Sequence, residues 1–142
     1  MKFKFLKLLF LIFISCGTSK NLNVKPIFRY VNLYTYGKFE LGDDLKNINY
    51  LTEVIDNRIY LKKNVFGGVV SIELIPNSKG KIKSIIFDYG TKTTLESEIK
   101  DYKNMLGLPK TNTDKAIWSD GRTSFELYEV NSKVFSKMTD LQ

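Results

Sequence analysis

Histidine is absent from the 142 residues, and cysteine occurs once, as Cys16. A lone cysteine cannot form an intramolecular disulfide bond. Without histidine, the chain has neither a zinc site built from histidine and cysteine nor the base of a Ser-His-Asp or Cys-His mechanism. No compact pair of carboxylates suggests glycosidase chemistry, which needs two of them facing one cleft. We therefore expect a protein that is not an enzyme and that holds no metal and no cofactor.

A strong excess of one charge is also lacking. All 15 acidic residues follow Cys16, whereas three of the 22 basic residues precede it, which leaves 19 basic residues and a net charge of +4 from Cys16 onward. This mild excess is spread along the chain and does not predict a nucleic-acid partner. A chain of this length buries enough surface to fold as one domain without metal or disulfide.

The first 15 residues have the order of a secretory signal peptide. Three lysines and then an apolar run over residues 8–14 precede the small Ser15, which stands directly before Cys16. This order is typical of an exported protein. The run is far shorter than the ~20 residues that a membrane-spanning helix needs. The alternative is that residues 3–14 form an element of the core and that Cys16 is a small buried hydrophobe.

Phe13, Ile14, Ser15 and Cys16 resemble the bacterial lipobox, in which an apolar and a small residue precede an invariant cysteine. The resemblance implies that Cys16 receives a diacylglyceryl thioether, becomes the new N-terminus and is acylated again. Two or three acyl chains hold a protein stably on a membrane. Gly17 stands where an aspartate favours inner-membrane retention, so the resemblance favours the outer membrane of the cell envelope.

The predicted organisation has three parts: a signal peptide over 1–15, a lipidated N-terminus and tether over 16–26, and a single domain over 27–142. Residues 17–26 are polar with little periodicity, which is typical of a tether. An ordered N-terminal arm is the alternative for these residues.

The pattern over 27–142 predicts an α+β fold made of two helix-plus-antiparallel-meander units, about 41–90 and 93–139. Each meander has an apolar face that a helix can cover, which gives a two-layer domain. Strands are predicted over 27–36, where Gly37 ends the first of them, and over 69–75, 81–89, 116–119, 122–130 and 134–138. A first helix is predicted over 43–51, with Asp43 or Asp44 as its cap.

The second helix has the strongest signals. Thr93 and Glu96 have the spacing of a capping box, and Gly107 followed by Pro109 is typical of a helix end. An apolar stripe at helical spacing lies between them, formed by Leu95, Ile99, Tyr102 and Leu106. Asp120 and Gly121 predict a two-residue hairpin turn with positive φ at both positions, and a further turn is predicted over 131–133.

Leu106, Gly107, Pro109 and Trp118 resemble the helix end and following strand of the outer-membrane assembly lipoproteins of the SmpA/OmlA type. These share a helix-plus-meander architecture with the β-lactamase-inhibitor-like proteins, whose tandem arrangement suits the two predicted units better. Residues 39–48 faintly resemble the helix entry of that family. The resemblance implies a non-catalytic protein that binds other envelope proteins.

Four residues are candidates for a partner-binding surface: Tyr30, Tyr34, Tyr36 and Trp118. The three tyrosines share one parity of the first strand with Phe28, and tyrosine and tryptophan supply large contact areas at interfaces. The alternatives are a strand buried on both faces and a tryptophan that closes the core.

The sequence thus predicts an envelope lipoprotein, attached to the membrane through Cys16, that binds another envelope protein. The alternative function is binding of a lipid or small molecule in an apolar cavity between helices and sheet.

Overall fold

Antiparallel strands dominate the computed structural model of the chain, which describes residues 24–33, 37–45, 52–55, 58–61 and 69–142. The strands are β1 (Tyr30–Leu33), β2 (Gly37–Glu40), β3 (Thr52–Ile55), β4 (Arg58–Leu61), β5 (Ser71–Pro76), β6 (Ile82–Gly90), β7 (Lys110–Asn112), β8 (Lys115–Ser119), β9 (Thr123–Val130) and β10 (Lys133–Asp140). One α-helix lies within these ranges, α1 (Leu95–Leu106), between β6 and β7. The predicted mixture of helix and sheet is confirmed, although strand predominates.

Eight of the strands form one antiparallel sheet in the order β3-β4-β5-β6-β10-β9-β8-β7, and β1 pairs with β2 in a separate hairpin. The chain meanders from the edge strand β3 inward to β6, crosses through α1 to the opposite edge and meanders back to β10. The two meanders meet where β6 pairs with β10, with Ile85 opposite Met138. The first and last parts of the domain therefore share the centre of a single sheet.

The prediction of two helix-plus-meander units is not supported. The meanders are halves of one sheet, and α1 contacts β8 and β9 of the second half. The predicted first helix does not begin at residue 43, because the backbone there pairs with β6 instead: Ile82 N–H donates to Asp43 O at 2.9 Å, and Asp44 bridges Lys81. The remainder of that predicted helix, 46–51, lies outside the described residues.

Helix α1 has the predicted extent, with its cap shifted by one residue. The N-cap is Thr94, whose side chain accepts a hydrogen bond from Ser97 N–H, whereas the Thr93 hydroxyl donates to Glu98 at 2.8 Å. Gly107 ends the helix with φ 88° and donates to Lys103 O. Glycine adopts such a φ without the steric cost that a Cβ brings, so the predicted C-terminal signal is confirmed.

The turn at Asp120 and Gly121 differs from the prediction. Strand β8 ends at Ser119 and β9 begins at Thr123, so the loop has three residues, and of the predicted pair only Gly121 has positive φ. The Asp120 side chain shapes the loop by accepting hydrogen bonds from the N–H groups of Arg122 and Thr123. By accepting these bonds, an aspartate side chain can stabilise a turn while the aspartate itself keeps a negative φ.

The segment before β1, residues 24–29, is an ordered arm. Val24 bridges Gly107, Lys25 N–H donates to Leu106 O at 3.1 Å, and Ile27 N–H donates to Asp120 Oδ2 at 2.8 Å. The end of the predicted tether is therefore fixed to the domain, and residues 16–23 lie outside the described part of the chain. The strand predicted from residue 27 begins only at Tyr30, because the backbone before it is engaged by the end of α1 and the β8–β9 loop.

Gly37 also differs from its predicted role. It begins β2 with φ 86° instead of ending the first strand, and Leu33 pairs with it across the β1–β2 hairpin. The arm is secured further by Arg29, whose guanidinium lies 3.1 Å from the Asp140 carboxylate and donates to the Thr123 hydroxyl at 2.9 Å. The arm and hairpin thus cover the sheet beside α1.

The core lies between one face of the sheet and the elements that cover it. Its fully buried large side chains include Ile72, Leu74, Ile85, Trp118, Phe125, Leu127 and Met138. Ile27 and Phe39 from the arm and hairpin join this cluster, and the predicted stripe of α1 packs against it. Burial of each large apolar side chain contributes about 1.5–3 kcal/mol, so this face fixes the position of every covering element.

Candidate functional site: an aromatic cleft

A cleft of about 340 Å³ opens between the arm and β1, the helix and the sheet. We call it the aromatic cleft. Its lining is mainly aromatic and aliphatic and consists of Phe28, Tyr30, Val31, Asn32, Val69, Ile72, Phe87, Tyr89 and Tyr102. The sheet contributes the floor, because Ile72 and Phe87 are directly paired residues of β5 and β6.

The rings around the cleft are held by contacts with the core. The Tyr102 ring lies 4.5 Å from that of Phe125 and 6.3 Å from that of Trp118, measured between centroids. The ring of Phe28, in the arm, also packs against Phe125, with a centroid distance of 5.5 Å. Tilted aromatic pairs at such distances are favourable beyond the area they bury. The shape of the aromatic cleft is therefore set before any ligand or partner arrives.

Two tyrosine hydroxyl groups form a polar spot in this apolar lining. The hydroxyl of Tyr89 is 3.1 Å from that of Tyr102 and also 3.1 Å from the hydroxyl of the buried Ser136. Burial raises the pKa of Tyr102 above its ordinary value, and the neighbouring Tyr89 raises it further. Burial likewise raises the pKa of Tyr89. Both hydroxyls therefore stay protonated near neutral pH, and together with the Ser136 hydroxyl they form a chain of two hydrogen bonds.

The rim of the cleft is polar and accessible. Tyr30 has 51% of its surface exposed, and Lys38 Nζ lies 4.3 Å above the centre of its ring. The Lys38 ammonium also pairs with Glu40 at 2.6 Å, and this hydrogen bond raises the pKa of Lys38 and lowers that of Glu40. Asn32 is exposed beside them. An apolar centre with a polar rim is the usual composition of a binding surface.

The candidates from the sequence have different outcomes. Tyr30 lies on the rim of the aromatic cleft, whereas Tyr34, Tyr36 and Cys16 lie outside the described residues. Trp118 was wrongly placed among the partner-binding candidates, because it is fully buried. Its alternative, a tryptophan that closes the core, is what the structure has.

Tyr89 and Tyr102 are cleft residues that the sequence did not single out for binding. Each stands on an apolar stripe, and their hydroxyls are the signal that could have identified them. A buried tyrosine hydroxyl needs a hydrogen-bond partner. One tyrosine on the core-facing side of β6 and one on the core-facing side of α1 therefore indicate that β6 and α1 meet, with each hydroxyl as the partner of the other.

Two further depressions are more polar than the aromatic cleft. One, of about 410 Å³, includes Asp44 and Lys81, whose charged groups are 3.9 Å apart. The other lies at the start of α1 and includes Glu96 and Glu129. In the described ranges, no group of three His, Cys, Asp or Glu residues could hold a metal ion. Among the same residues, no helix is long and apolar enough to cross a membrane.

Comparisons of the chain with protein-family models, with curated proteins and with solved structures gave no match.

Proposed function

We propose that this protein is a non-catalytic lipoprotein of the bacterial cell envelope that binds another envelope protein through the aromatic cleft. The order of lysines, apolar run, Ser15 and Cys16 supports export and acylation of Cys16. Without an aspartate after the cysteine, the anchor favours the outer membrane. The attached domain acts as a binding or scaffold module.

The observation that carries the binding role is the half-exposed Tyr30 at the mouth of a preformed apolar cleft. Rings already fixed by the core lose little conformational entropy when a partner docks, which lowers the cost of association. Tyrosine is also enriched among the residues that contribute most to binding. The cleft therefore suits one or two apolar side chains of a partner, and the Tyr102 hydroxyl at the end of the hydroxyl chain suits a polar group of that partner.

Binding of a lipid or small molecule is the second candidate, and the same cleft favours it. Small-molecule sites are concave and mostly apolar, with a few fixed polar groups, and have volumes of about 300–1,000 Å³. At about 340 Å³, the aromatic cleft is at the lower end of this range. A small apolar ligand with one polar group would fit, with that group toward Tyr102.

The proposal is tested by site-specific photo-crosslinking in the native envelope. A photoreactive residue replaces the exposed Asn32 at the rim, and a matched one replaces Val130, which is 49% exposed away from the cleft. We expect one protein adduct of defined mass from position 32 and none from position 130. Equal adducts from both positions, or none from either, would contradict the proposed partner site.

Native mass spectrometry of the purified protein separates the two candidate functions. A retained small molecule that is lost in Phe87→Trp, which narrows the cleft, would favour the second candidate. A ligand-free mass, together with a protein adduct at position 32, would favour partner binding. Intact-mass analysis of material from the native cell tests the anchor, because a chain that still begins at Met1 with a free thiol would contradict acylation.

A further inference from the structure

The C-terminal end of α1 exposes two large apolar side chains. Met105 and Leu108 have 52% and 56% of their surfaces exposed, the two highest values among the large hydrophobic residues in the described ranges. They flank Leu106, which is buried in the core, and Gly107, which ends the helix. The fold thus places both positions at the surface, but it does not require apolar side chains there.

Three exposed lysines lie at the same end of the helix. Lys103 and Lys110 are on either side of Met105 and Leu108 in the sequence. Lys25 is placed there by its backbone bond to Leu106 O, and its Nζ lies 3.5 Å from Asn104 O. The nearest carboxylate in the sequence of α1, that of Asp101, is one turn farther from the helix end. We call Lys25, Lys103, Met105, Leu108 and Lys110 the helix-end surface.

The chain enters the domain at this same surface. Val24 forms its bridge with Gly107, and seven residues, 17–23, separate it from Cys16. The eight Cα–Cα steps from Cys16 to Val24, at about 3.6 Å each, span at most ~29 Å. An acyl chain on Cys16 therefore keeps the end of α1 within that distance of the lipid, whatever course the segment takes.

We propose that the helix-end surface lies against the anionic surface of the bilayer and sets the orientation of the domain. Met105 and Leu108 enter the headgroup region, where apolar side chains leave water. The three lysines meet anionic headgroups, to which such basic side chains are attracted near the surface. This inference rests on the proposed acylation of Cys16, and it assigns a membrane-contacting role to a part of the domain that the aromatic cleft does not include.

Fluorescent labelling of the full acylated chain tests the contact. Acylation consumes the thiol of Cys16, so a new cysteine is labelled selectively in Met105→Cys and Leu108→Cys. Val130→Cys is the matched control, because Val130 is about as exposed as Met105 and Leu108. It lies near the start of α1, since its neighbour Glu129 lines the same depression as the first turn of that helix. The helix is about 18 Å long, so the control reports on its opposite end.

Each variant is purified from the native cell and reconstituted into vesicles of phosphatidylethanolamine and phosphatidylglycerol, with flotation to measure attachment. We expect emission at positions 105 and 108 to shift to shorter wavelengths and to be quenched by nitroxide-labelled lipid, and emission at 130 to stay as in water. Phosphatidylcholine vesicles, or the Lys25→Glu/Lys110→Glu double variant, should reduce the quenching severalfold.

The outcomes distinguish the anchor from the contact. Protein that floats with the vesicles but shows the same unquenched emission at all three positions would overturn the contact and leave the anchor intact. Equal quenching at all three positions would also overturn it, because the domain would then have no preferred orientation. Protein that does not float would overturn both the contact and the proposed acylation.

Discussion

The indole Nε1 of Trp118 donates a hydrogen bond of 2.8 Å to the carbonyl oxygen of Gly107. This bond joins β8 to the end of α1. We predict that Trp118→Phe lowers the free energy of unfolding by about 1–3 kcal/mol, because the carbonyl loses its partner. For Trp118→Ala the loss should be about 3–5 kcal/mol, since a cavity is added. Urea unfolding measures both, and an unchanged stability in Trp118→Phe would show that the hydrogen bond contributes little.

Tyr30→Ala should separate binding from stability. If Tyr30 is a principal contact, its truncation weakens partner binding by about 2 kcal/mol, or roughly 30-fold. The free energy of unfolding should change by no more than about 0.5 kcal/mol, because the side chain is half exposed. Titration of the crosslinked partner measures the first, with Val130→Ala as the control. A similar loss of affinity in both variants would show that Tyr30 has no special role.

Asp120 makes the attachment of the arm sensitive to acid. Partial burial opposes its ionisation, but hydrogen bonds from the N–H groups of Ile27, Thr123 and Arg122 outweigh burial and hold the pKa of Asp120 below its ordinary value of 3.8. Because the pKa is lower in the folded than in the unfolded chain, the carboxylate stabilises the fold above about pH 4, and this contribution is lost as the pH falls through the folded-state pKa.

We therefore predict that acidification below about pH 4 destabilises the wild type more than Asp120→Asn. The variant should be less stable at neutral pH and should show a flatter dependence of unfolding free energy on pH. Urea unfolding at a series of pH values measures this slope. Parallel curves for the two proteins would contradict the prediction.

Tyr89 and Tyr102 should contribute stability that alkali removes. Their pKa values are raised by burial in the folded chain, so the contribution is fully present below the unfolded value of about 10 and is lost as the pH rises through the folded-state values. We predict that unfolding free energy falls above about pH 10 and that it falls less steeply in Tyr102→Phe. Urea unfolding at a series of alkaline pH values measures this fall in each protein, and tyrosinate absorbance shows which tyrosines ionise. The same dependence on pH in the wild type and in Tyr102→Phe would contradict the prediction that Tyr102 contributes to it.

The β9–β10 turn offers a stabilising substitution. Asn131 and Ser132 both have positive φ, 51° and 61°, a conformation that costs serine about 1 kcal/mol relative to glycine. Ser132→Gly should therefore raise the free energy of unfolding by about 0.5–1 kcal/mol. Ser78→Gly is the control, because Ser78 lies in the β5–β6 turn but does not itself have positive φ, and it should gain nothing. A shift in thermal unfolding for the first variant alone would support the reasoning.

Local signals in the sequence predicted the elements whose ends are determined by nearby residues. The end of α1 follows from Gly107, and the turn before β10 follows from short polar residues that tolerate positive φ. Strand β7 escaped prediction, because its three residues are all exposed and carry no alternating pattern. The one-residue error at the start of α1 arose because Thr93 and Thr94 can both cap a helix.

Local sequence signals could not predict which distant elements contact each other. The pairing of β6 with β10 depends on how α1 returns the chain to the sheet, and periodicity within either strand contains no information about that path. The burial of Trp118 likewise depends on where α1 lies on β8. Tyr30 was a candidate only through its parity on a strand, and its place at the mouth of the aromatic cleft follows from the bonds that hold the arm.

The central position of β10 has a consequence for the order in which the chain can fold. Strand β10 is the last strand of the sheet in chain order, yet it fills the gap between the two meanders, where it pairs with the distant β6 as well as with the neighbouring β9. Contacts between residues so far apart in sequence form slowly. The two halves of the sheet therefore join only when β10 docks, and the pairing of β6 with β10 is the step that completes the sheet.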